Sequence, residues 1–164
     1  MRLIMAVSAD GYVAQGPRDD MSWTGDADKR AFRLLTSVGG GVCGVGSVTF
    51  DLMPKLKGRK VWRLTSSPGD YGGHQGSACT LGWFAHSYPG AWLLGGPTLA
   101  QAAFDIGLID EAFFCVIQGI DLVQECEEDD LVPEPLRLQM ARRFWNHEAV
   151  YEHGGLKIER WHRG

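Results

Sequence analysis

The chain lacks any apolar run near the ~20 residues that a membrane-spanning helix needs. Its first apolar run covers only the five residues 3–7, which is too short for the apolar core of a secretion signal. We therefore expect a cytoplasmic protein with no membrane partner.

An excess of basic charge is also missing. The chain has 16 Lys and Arg against 20 Asp and Glu, which gives a formal net charge of −4. This balance offers no electrostatic footprint for nucleic acid or for an anionic membrane surface. The 164 residues, of which 45% are hydrophobic and 22% charged, are typical of one globular domain with a sizeable core, which we place at 1–164.

Motifs of the common metal-binding, hydrolase and phosphate-transfer proteins are absent from the sequence. It has no Cys-x-x-Cys pair, no His-Glu-x-x-His, no Gly-x-Ser-x-Gly and no Walker loop. Of its four cysteines, Cys43 and Cys115 lie inside apolar runs, which favours buried free thiols over disulfides or metal ligands. We therefore predict that the protein has no metal site.

Strand and helix patterns alternate along most of the chain. Apolar runs predict strands at 2–8, 42–46, 60–65, 91–94 and 112–118, and helical segments at 29–38, 47–53 and 97–106. The runs 144–151 and 156–161, with a Gly pair between them, predict a closing hairpin. Residues 66–90 give no clear pattern, and the acidic run 125–130 indicates a solvated loop. The order predicts an α/β fold with a central, mostly parallel sheet and an antiparallel C-terminal hairpin, flanked by helices.

One carboxylate, Asp28, stands out because it follows Trp23 at the start of a predicted helix. We expect Asp26 to cap this helix, which places Asp28 in the first turn, where the helix dipole stabilises its charge. Nearby apolar side chains would raise its pKa. The alternative is a plain surface Asp. The half-buried face of the helix is predicted to carry Ala31, Leu34, Leu35 and Val38.

Two glycine-bearing turns follow predicted strands and precede predicted helices, at 44–49 and 94–98. Backbone N–H groups at a helix N-terminus bind phosphate well, so the pair could hold the diphosphate of a dinucleotide. Neither turn matches Gly-x-Gly-x-x-Gly, and tight packing turns are the alternative reading of each.

A loop with Gly16 and Met21 precedes Trp23, and Asp28 follows Trp23 by five residues. Three further segments are Val45-Gly46-Ser47-Val48-Thr49-Phe50, Leu56-Lys57-Gly58-Arg59 and Leu93-Leu94-Gly95-Gly96. Together these pieces resemble dihydrofolate reductase nearly from end to end.

The segments 8–12 and 107–111 also resemble the reductase domain of riboflavin biosynthesis, which reduces a ribosylated pyrimidine with NADPH on the same fold. The pair Asp28 and Arg59 separates the two resemblances, since a pterin needs a carboxylate and a glutamate tail needs an arginine fork. Both residues are present, which favours folate. A module that binds a nucleotide without turnover is the third alternative.

The resemblance implies hydride transfer from NADPH to C6 of 7,8-dihydrofolate, with protonation at N5. The catalytic residues would be Asp28, Trp23 and Met21. Asp28, as the only ionisable side chain in the pocket, would anchor the pterin, while Met21 would gate a proton-carrying water and Trp23 would support that water and wall the site. The substrate residues would be Ile4, Ala6, Asp28, Phe32, Arg33, Met53, Leu56, Arg59, Leu94 and Cys115.

The resemblance also implies a cofactor site and a cis peptide bond between Gly95 and Gly96. The residues around the cofactor would be Ala6, Gly16, Gly46, Ser47, Thr49, Leu64, Thr65, Ser66, Gly95, Gly96, Pro97 and Thr98. We expect the protein to be a monomer or a homodimer. The binding partner that we expect is the small-molecule substrate, dihydrofolate.

Three positions depart from the family pattern. Ser47 stands where the family has an Arg that binds the 2′-phosphate of NADPH, so NADH becomes possible, and Arg63 is a candidate replacement. Cys115 stands where the family has a Thr that helps to hold the pterin, and a thiol is a poorer hydrogen-bonding group. Lys29 replaces an apolar residue beside Asp28, whose pKa it would lower if it pointed inward.

Overall fold

A central eight-stranded sheet dominates the computed structural model, which describes residues 1–67, 78–124 and 126–164. Its strands, in spatial order, are β5 (Ala78–Cys79), β4 (Lys60–Leu64), β3 (Val42–Gly46), β6 (Trp92–Leu93), β1 (Arg2–Ser8), β7 (Glu111–Ile117), β10 (Leu156–His162) and β9 (Asn146–His153). Neighbouring strands pair in parallel except at β10, which is antiparallel to β7 and forms an antiparallel hairpin with β9 at one edge. The predicted α/β fold class is confirmed.

The helices and the smaller elements surround this sheet. The α-helices are α1 (Gly25–Ser37), α2 (Ser47–Leu52), α3 (Leu81–Ser87), α4 (Pro97–Asp105) and α5 (Leu136–Arg142). Strands β2 (Tyr12–Ala14) and β8 (Val132–Pro133) pair antiparallel in a separate small sheet. Within the described ranges, no helix has the length and apolar character needed to cross a membrane.

Strand β1 shows how the sequence organises the core. It pairs with β7 along all seven residues and with β6 at its other edge. Its side chains are also buried on both faces of the sheet. Leu3, Met5 and Val7 point to the core beneath α3, α4 and α5, whereas Ile4 points to the second core beneath α1. The alternation follows from the strand's period of two, and the near-continuous apolar run is typical of a central parallel strand.

Helix α1 differs from its predicted form at both its start and its buried face. Thr24, not Asp26, is the capping residue, and it makes no side-chain capping bond. Leu34 is 73% exposed and Val38 is 55% exposed, so the prediction that they face the core is wrong. The helix buries Asp28 and Thr36 instead, with Ala31, Phe32 and Leu35 packed against the second core.

Several elements escaped the sequence patterns, namely β2, β8 and α5, together with β5 and α3 inside the unassigned range 66–90. Residues 68–77 of that range, and Glu125 of the acidic run, lie outside the described residues. The rest of the acidic run includes one 3₁₀ turn, Glu128–Asp130. Cys43 and Cys115 are buried free thiols, as predicted, and Cys79 and Cys126 are free as well.

Candidate functional site

A large cleft of about 1610 Å³ opens at the carboxyl ends of the parallel strands. Its walls come from β1, from the loop between β2 and α1, from α1 itself and from the chain that follows β3, β4 and β6. Open α/β sheets bind their ligands at this edge. The cleft is therefore the candidate active site.

The structure brings most of the predicted site residues to this cleft. Of the predicted substrate residues, those that line it are Ile4, Ala6, Asp28, Phe32, Arg33, Met53, Leu56, Arg59 and Leu94. All of the predicted cofactor residues line it as well: Ala6, Gly16, Gly46, Ser47, Thr49, Leu64, Thr65, Ser66, Gly95, Gly96, Pro97 and Thr98. Met21 also lines the cleft, whereas Cys115 lies beneath its floor and Trp23 lies outside its lining.

Asp28 is the buried carboxylate of the cleft, with only 8% of its surface exposed. Its side chain hydrogen-bonds those of Thr24 and Cys115. Burial is the largest influence and raises the pKa of Asp28, although the two hydrogen bonds and the charge of Lys29 act in the opposite direction. Among the described residues Asp28 forms no ion pair. A cationic ligand group can therefore bind there.

Cys115 lies at the centre of β7, opposite Ala6 of β1 and Ile158 of β10, and it is 1% exposed. Burial, together with the adjacent Asp28 carboxylate, raises the pKa of this thiol well above its ordinary value. The thiol therefore stays protonated at neutral pH, which leaves it as the donor toward Asp28.

Thr24 is a site residue that the sequence patterns missed. It is buried, and its hydroxyl lies 3.1 Å from the carbonyl oxygen of Met21 as well as within hydrogen-bonding reach of Asp28. One hydroxyl carries a single proton, so it serves only one of these acceptors at a time. A polar residue four positions before a buried carboxylate, at the start of the same helix, is the signal that could have found it.

The expectation that Asp28 is the only ionisable side chain in the pocket is wrong. Three more carboxylates of the described residues line the cleft, those of Asp19, Asp20 and Asp26. Five cations line it too, from α1 and from the segment after α2: Lys29, Arg33, Lys55, Lys57 and Arg59. Lys29 is exposed rather than buried. The cleft wall between these two segments is consequently cationic, which suits an anionic ligand group.

Arg59 is held in place by three hydrogen bonds to nearby groups. Its Nε donates to Thr36 Oγ1 at 3.2 Å, one terminal nitrogen donates to the Lys57 carbonyl at 2.9 Å, and the other donates to the Arg33 carbonyl. A guanidinium has five N–H donors, so two remain for a ligand. Arg59 is thereby a fixed cation tied to α1.

The two glycine turns adjoin each other at the other end of the cleft. The Gly46 N–H donates to the Gly95 carbonyl at 2.9 Å, and the peptide bond between Gly95 and Gly96 is cis, as the resemblance implied. A Cβ at Gly95 would meet nothing within 4 Å, so the backbone there is open to a ligand. Helix α4 starts after Gly96 without a side-chain cap, which leaves its first N–H groups available to a phosphate.

Arg63, the candidate replacement for the missing phosphate ligand, is directed to α2. Its guanidinium donates to the Ser47 carbonyl at 3.3 Å, forms an ion pair with Asp51 and lies 4.9 Å from the centre of the Phe50 ring. It is not among the residues that line the cleft. The neighbouring cleft positions are hydroxyls, from Ser47, Thr65 and Ser66.

Trp23 occupies a different place from the one that the resemblance implied. Its ring packs against the second core, and its indole N–H donates to the Asp19 carboxylate at 2.9 Å. That donor is therefore engaged with protein rather than directed to a water in the cleft. Met21 does line the cleft, in a left-handed backbone conformation with φ of 58°.

No protein-family model matches the chain, and no curated protein matches it in sequence. Among the solved structures that resemble it, two do so over nearly their whole length. A dihydrofolate reductase from Enterococcus faecalis, complexed with NADP(H) and RAB-propyl, has 15% identity and a TM-score of 0.70, covering 99% of this chain and 95% of its own. A riboflavin biosynthesis protein from Shewanella sp. PV-4 has 14% identity and a TM-score of 0.68, covering 99% and 98%. The chain has the dihydrofolate-reductase-like fold.

Proposed function

We propose that the protein is an NADPH-dependent reductase that converts 7,8-dihydrofolate to tetrahydrofolate, with Asp28 as the anchor of the pterin. The observation that carries this proposal is the position of Asp28, a buried carboxylate without an ion pair in the described chain, at a cleft lined by strand ends. An ionised carboxylate accepts two hydrogen bonds from an amino-pyrimidine edge, and charge-assisted bonds of this kind are the strong ones.

Asp28 also suits the proton that the reduction consumes. NADPH, when bound, supplies the hydride to C6, and one proton must reach N5. An ionised Asp28 favours the protonated form of a substrate bound against it. Because burial raises the pKa of Asp28, this group ionises nearer to neutral pH than an exposed carboxyl group does. A group that ionises near the working pH is the most effective in acid–base catalysis.

The cationic wall supports a substrate with an acidic tail. Arg59 is fixed by its bonds to Thr36, Lys57 and Arg33 and retains donors for a ligand. A planar fork of this kind binds a carboxylate through two parallel bonds. Arg59 would therefore hold the α-carboxylate of the glutamate, with Arg33 close to the same tail.

The cofactor end of the cleft fits a dinucleotide. Ser47, Thr49, Gly95 and Gly96 offer backbone N–H groups and hydroxyls to a diphosphate, Gly46 lines the cleft beside them, and the open side of Gly95 leaves room for the ligand. Pro97 and Thr98 continue this surface at the start of α4, and Leu64, Thr65 and Ser66 would flank the adenosine. Since Ser47 brings no charge and Arg63 pairs with Asp51, we propose that NADH is accepted as well.

A reductase of a ribosylated pyrimidine is the second candidate. The likeness to the Shewanella riboflavin biosynthesis protein is almost as close as the likeness to dihydrofolate reductase. Cys115 also replaces the hydroxyl that the folate resemblance implies beneath the pterin. The same cleft and the same cofactor end would serve this reaction, with the cations of the wall facing a sugar phosphate.

The test is oxidation of NADPH, followed by absorbance, with dihydrofolate as substrate and with NADH in a parallel series. Asp28→Asn keeps the shape of the side chain but removes its charge. Asp105→Asn is the matched control, because Asp105 lies at the end of α4 and outside the cleft lining. Turnover that collapses in Asp28→Asn and persists in Asp105→Asn supports the proposal.

Failure of the folded protein to oxidise either cofactor with dihydrofolate would reject the folate assignment. Turnover of a ribosylated pyrimidine in its place would establish the second candidate. Nucleotide binding without reduction of any of these substrates would indicate a binding module.

A further inference from the structure

The loop that joins β2 to α1 forms one wall of the cleft. Its residues Gly16, Pro17, Asp19, Asp20 and Met21 all line the cleft. The shape of the cleft therefore depends on the position of this loop, and the hydrogen bonds of one of its own side chains fix that position.

One carboxylate, that of Asp19, receives three hydrogen bonds from both ends of this loop. Its Oδ2 accepts from the Gln15 N–H at 2.6 Å and from the Trp23 indole N–H at 2.9 Å, and its Oδ1 accepts from the Met21 N–H at 2.7 Å. Hydrogen bonds to an ionised acceptor are stronger than neutral ones. The side chain of Asp19 therefore connects the start of the loop, its end and Trp23.

Trp23 gives this tie a fixed anchor. Its ring packs against the second core together with Ala27 and Phe32 of α1, the helix that carries Asp28. The indole is thus part of the same rigid unit as the carboxylate of the proposed pterin site. Asp19 links the loop to that unit.

Met21 is held from both sides. Asp19 receives its N–H, while its carbonyl oxygen accepts from the Thr24 N–H at 3.3 Å and from the Thr24 hydroxyl at 3.1 Å. Its φ of 58° lies in the left-handed region that residues other than glycine rarely adopt. Such a conformation persists only where the surroundings fix it.

We propose that Asp19 is a positioning residue that fastens the 15–21 loop to the indole of Trp23 and thereby sets the place of Met21 on the cleft wall relative to Asp28. The expected effect on kcat rests on the proposed function. The hydrogen bonds between Asp19 and the loop do not, because they can be measured on the protein without any ligand.

The first arm of the test uses the free protein. Trp23→Phe assigns the Trp23 indole signal in ¹⁵N–¹H spectra, and hydrogen exchange reports on the amides of residues 15–21. Asp19→Ala removes all three hydrogen bonds and is expected to move the Trp23 indole signal. It is also expected to speed exchange of the loop amides by roughly tenfold or more, since the loss of even one charge-assisted hydrogen bond has an effect of this size. Asp105→Asn is expected to change neither.

A double-mutant cycle measures the coupling between Asp19 and Trp23. If Asp19 acts through the indole, Asp19→Ala combined with Trp23→Phe speeds loop exchange little more than Asp19→Ala alone. Asp19→Asn, which keeps one acceptor oxygen without the charge, is expected to fall between the wild type and Asp19→Ala. An unmoved Trp23 signal, unchanged loop exchange or fully additive effects in the cycle each overturn the proposal.

The second arm uses turnover of dihydrofolate. Asp19→Ala is expected to lower kcat by about tenfold while the acid limb of the pH profile stays in place, because Asp28 keeps its own partners. A shift of that limb would show that Asp19 acts on Asp28 directly and would overturn the positioning role. Absence of turnover in the wild type rejects the proposed function, and the first arm then decides the role of Asp19.

Discussion

The thiol of Cys115 and the carboxylate of Asp28 share a hydrogen bond at the floor of the cleft, where β7 passes beneath the first turn of α1. The bond favours the ionised form of Asp28, while burial opposes that form. The residue at position 115 therefore helps to set the pH at which Asp28 ionises.

Replacement of Cys115 by Thr and by Val tests this relationship with two side chains of nearly the same shape. A Thr hydroxyl is a stronger donor than a thiol, whereas Val offers no donor. The acid limb of the pH profile of kcat/KM should move to lower pH in Cys115→Thr and to higher pH in Cys115→Val. We expect Val to lower kcat/KM by roughly tenfold at neutral pH. Identical profiles in the two variants would show that position 115 does not act on Asp28.

Asp28→Asn should stabilise the free protein at neutral pH. Because the pKa of Asp28 is raised in the folded state, the stability that this group contributes is full below the ordinary carboxyl pKa and is lost as the pH rises through the folded-state value. Asparagine avoids that loss. We expect a higher Tm at pH 7, by about 2–4 °C for each kcal/mol recovered, and a smaller gain at pH 4.

Thermal unfolding followed by circular dichroism at both pH values measures this effect, with Asp105→Asn as the control. A gain in Tm that is equal at pH 7 and pH 4 would contradict the electrostatic explanation.

Ser47→Arg should shift the cofactor preference toward NADPH. The resemblance places this position against the 2′-phosphate, and an arginine fork matches a phosphate through two bonds. We expect the ratio of kcat/KM for NADPH over NADH to rise by roughly tenfold or more. Ser47→Gln, a neutral side chain of intermediate length, should leave the ratio near that of the wild type. An equal rise in both variants would exclude charge as the cause.

The sequence predicted the sheet better than it predicted the helix that carries the site. Strands β1 and β3 have the predicted bounds, 2–8 and 42–46, because strands covered on both faces need continuous apolar runs. In α1 the apolar pattern misled, because the buried face includes the polar Asp28 and Thr36 while Leu34 and Val38 are exposed. A binding site places polar groups where a plain core would be apolar, and periodicity cannot detect that exchange.

Side-chain partners were beyond the reach of the sequence for a related reason. Nothing in the spacing of residues 19–23 indicates that the Trp23 indole bonds Asp19, since the bond depends on how the loop folds back. Two of the three bonds of Arg59, those to Thr36 and Arg33, likewise require the long-range contact between α1 and the segment before β4. Fold class and cleft position follow from local patterns, but such contacts follow from tertiary structure.

Arg59→Gln should weaken binding of the substrate tail while it leaves the chemical step nearly intact. Arg59 lies on the cationic wall, and loss of a charge-assisted pair costs roughly 10- to 100-fold in KM for dihydrofolate. The matched comparison is 7,8-dihydropteroate, which has the same pterin but no glutamate, and its KM should be similar in wild type and variant. An equal rise in KM for both substrates would mean that Arg59 acts through its ties to Thr36 and Arg33, and that the tail binds elsewhere.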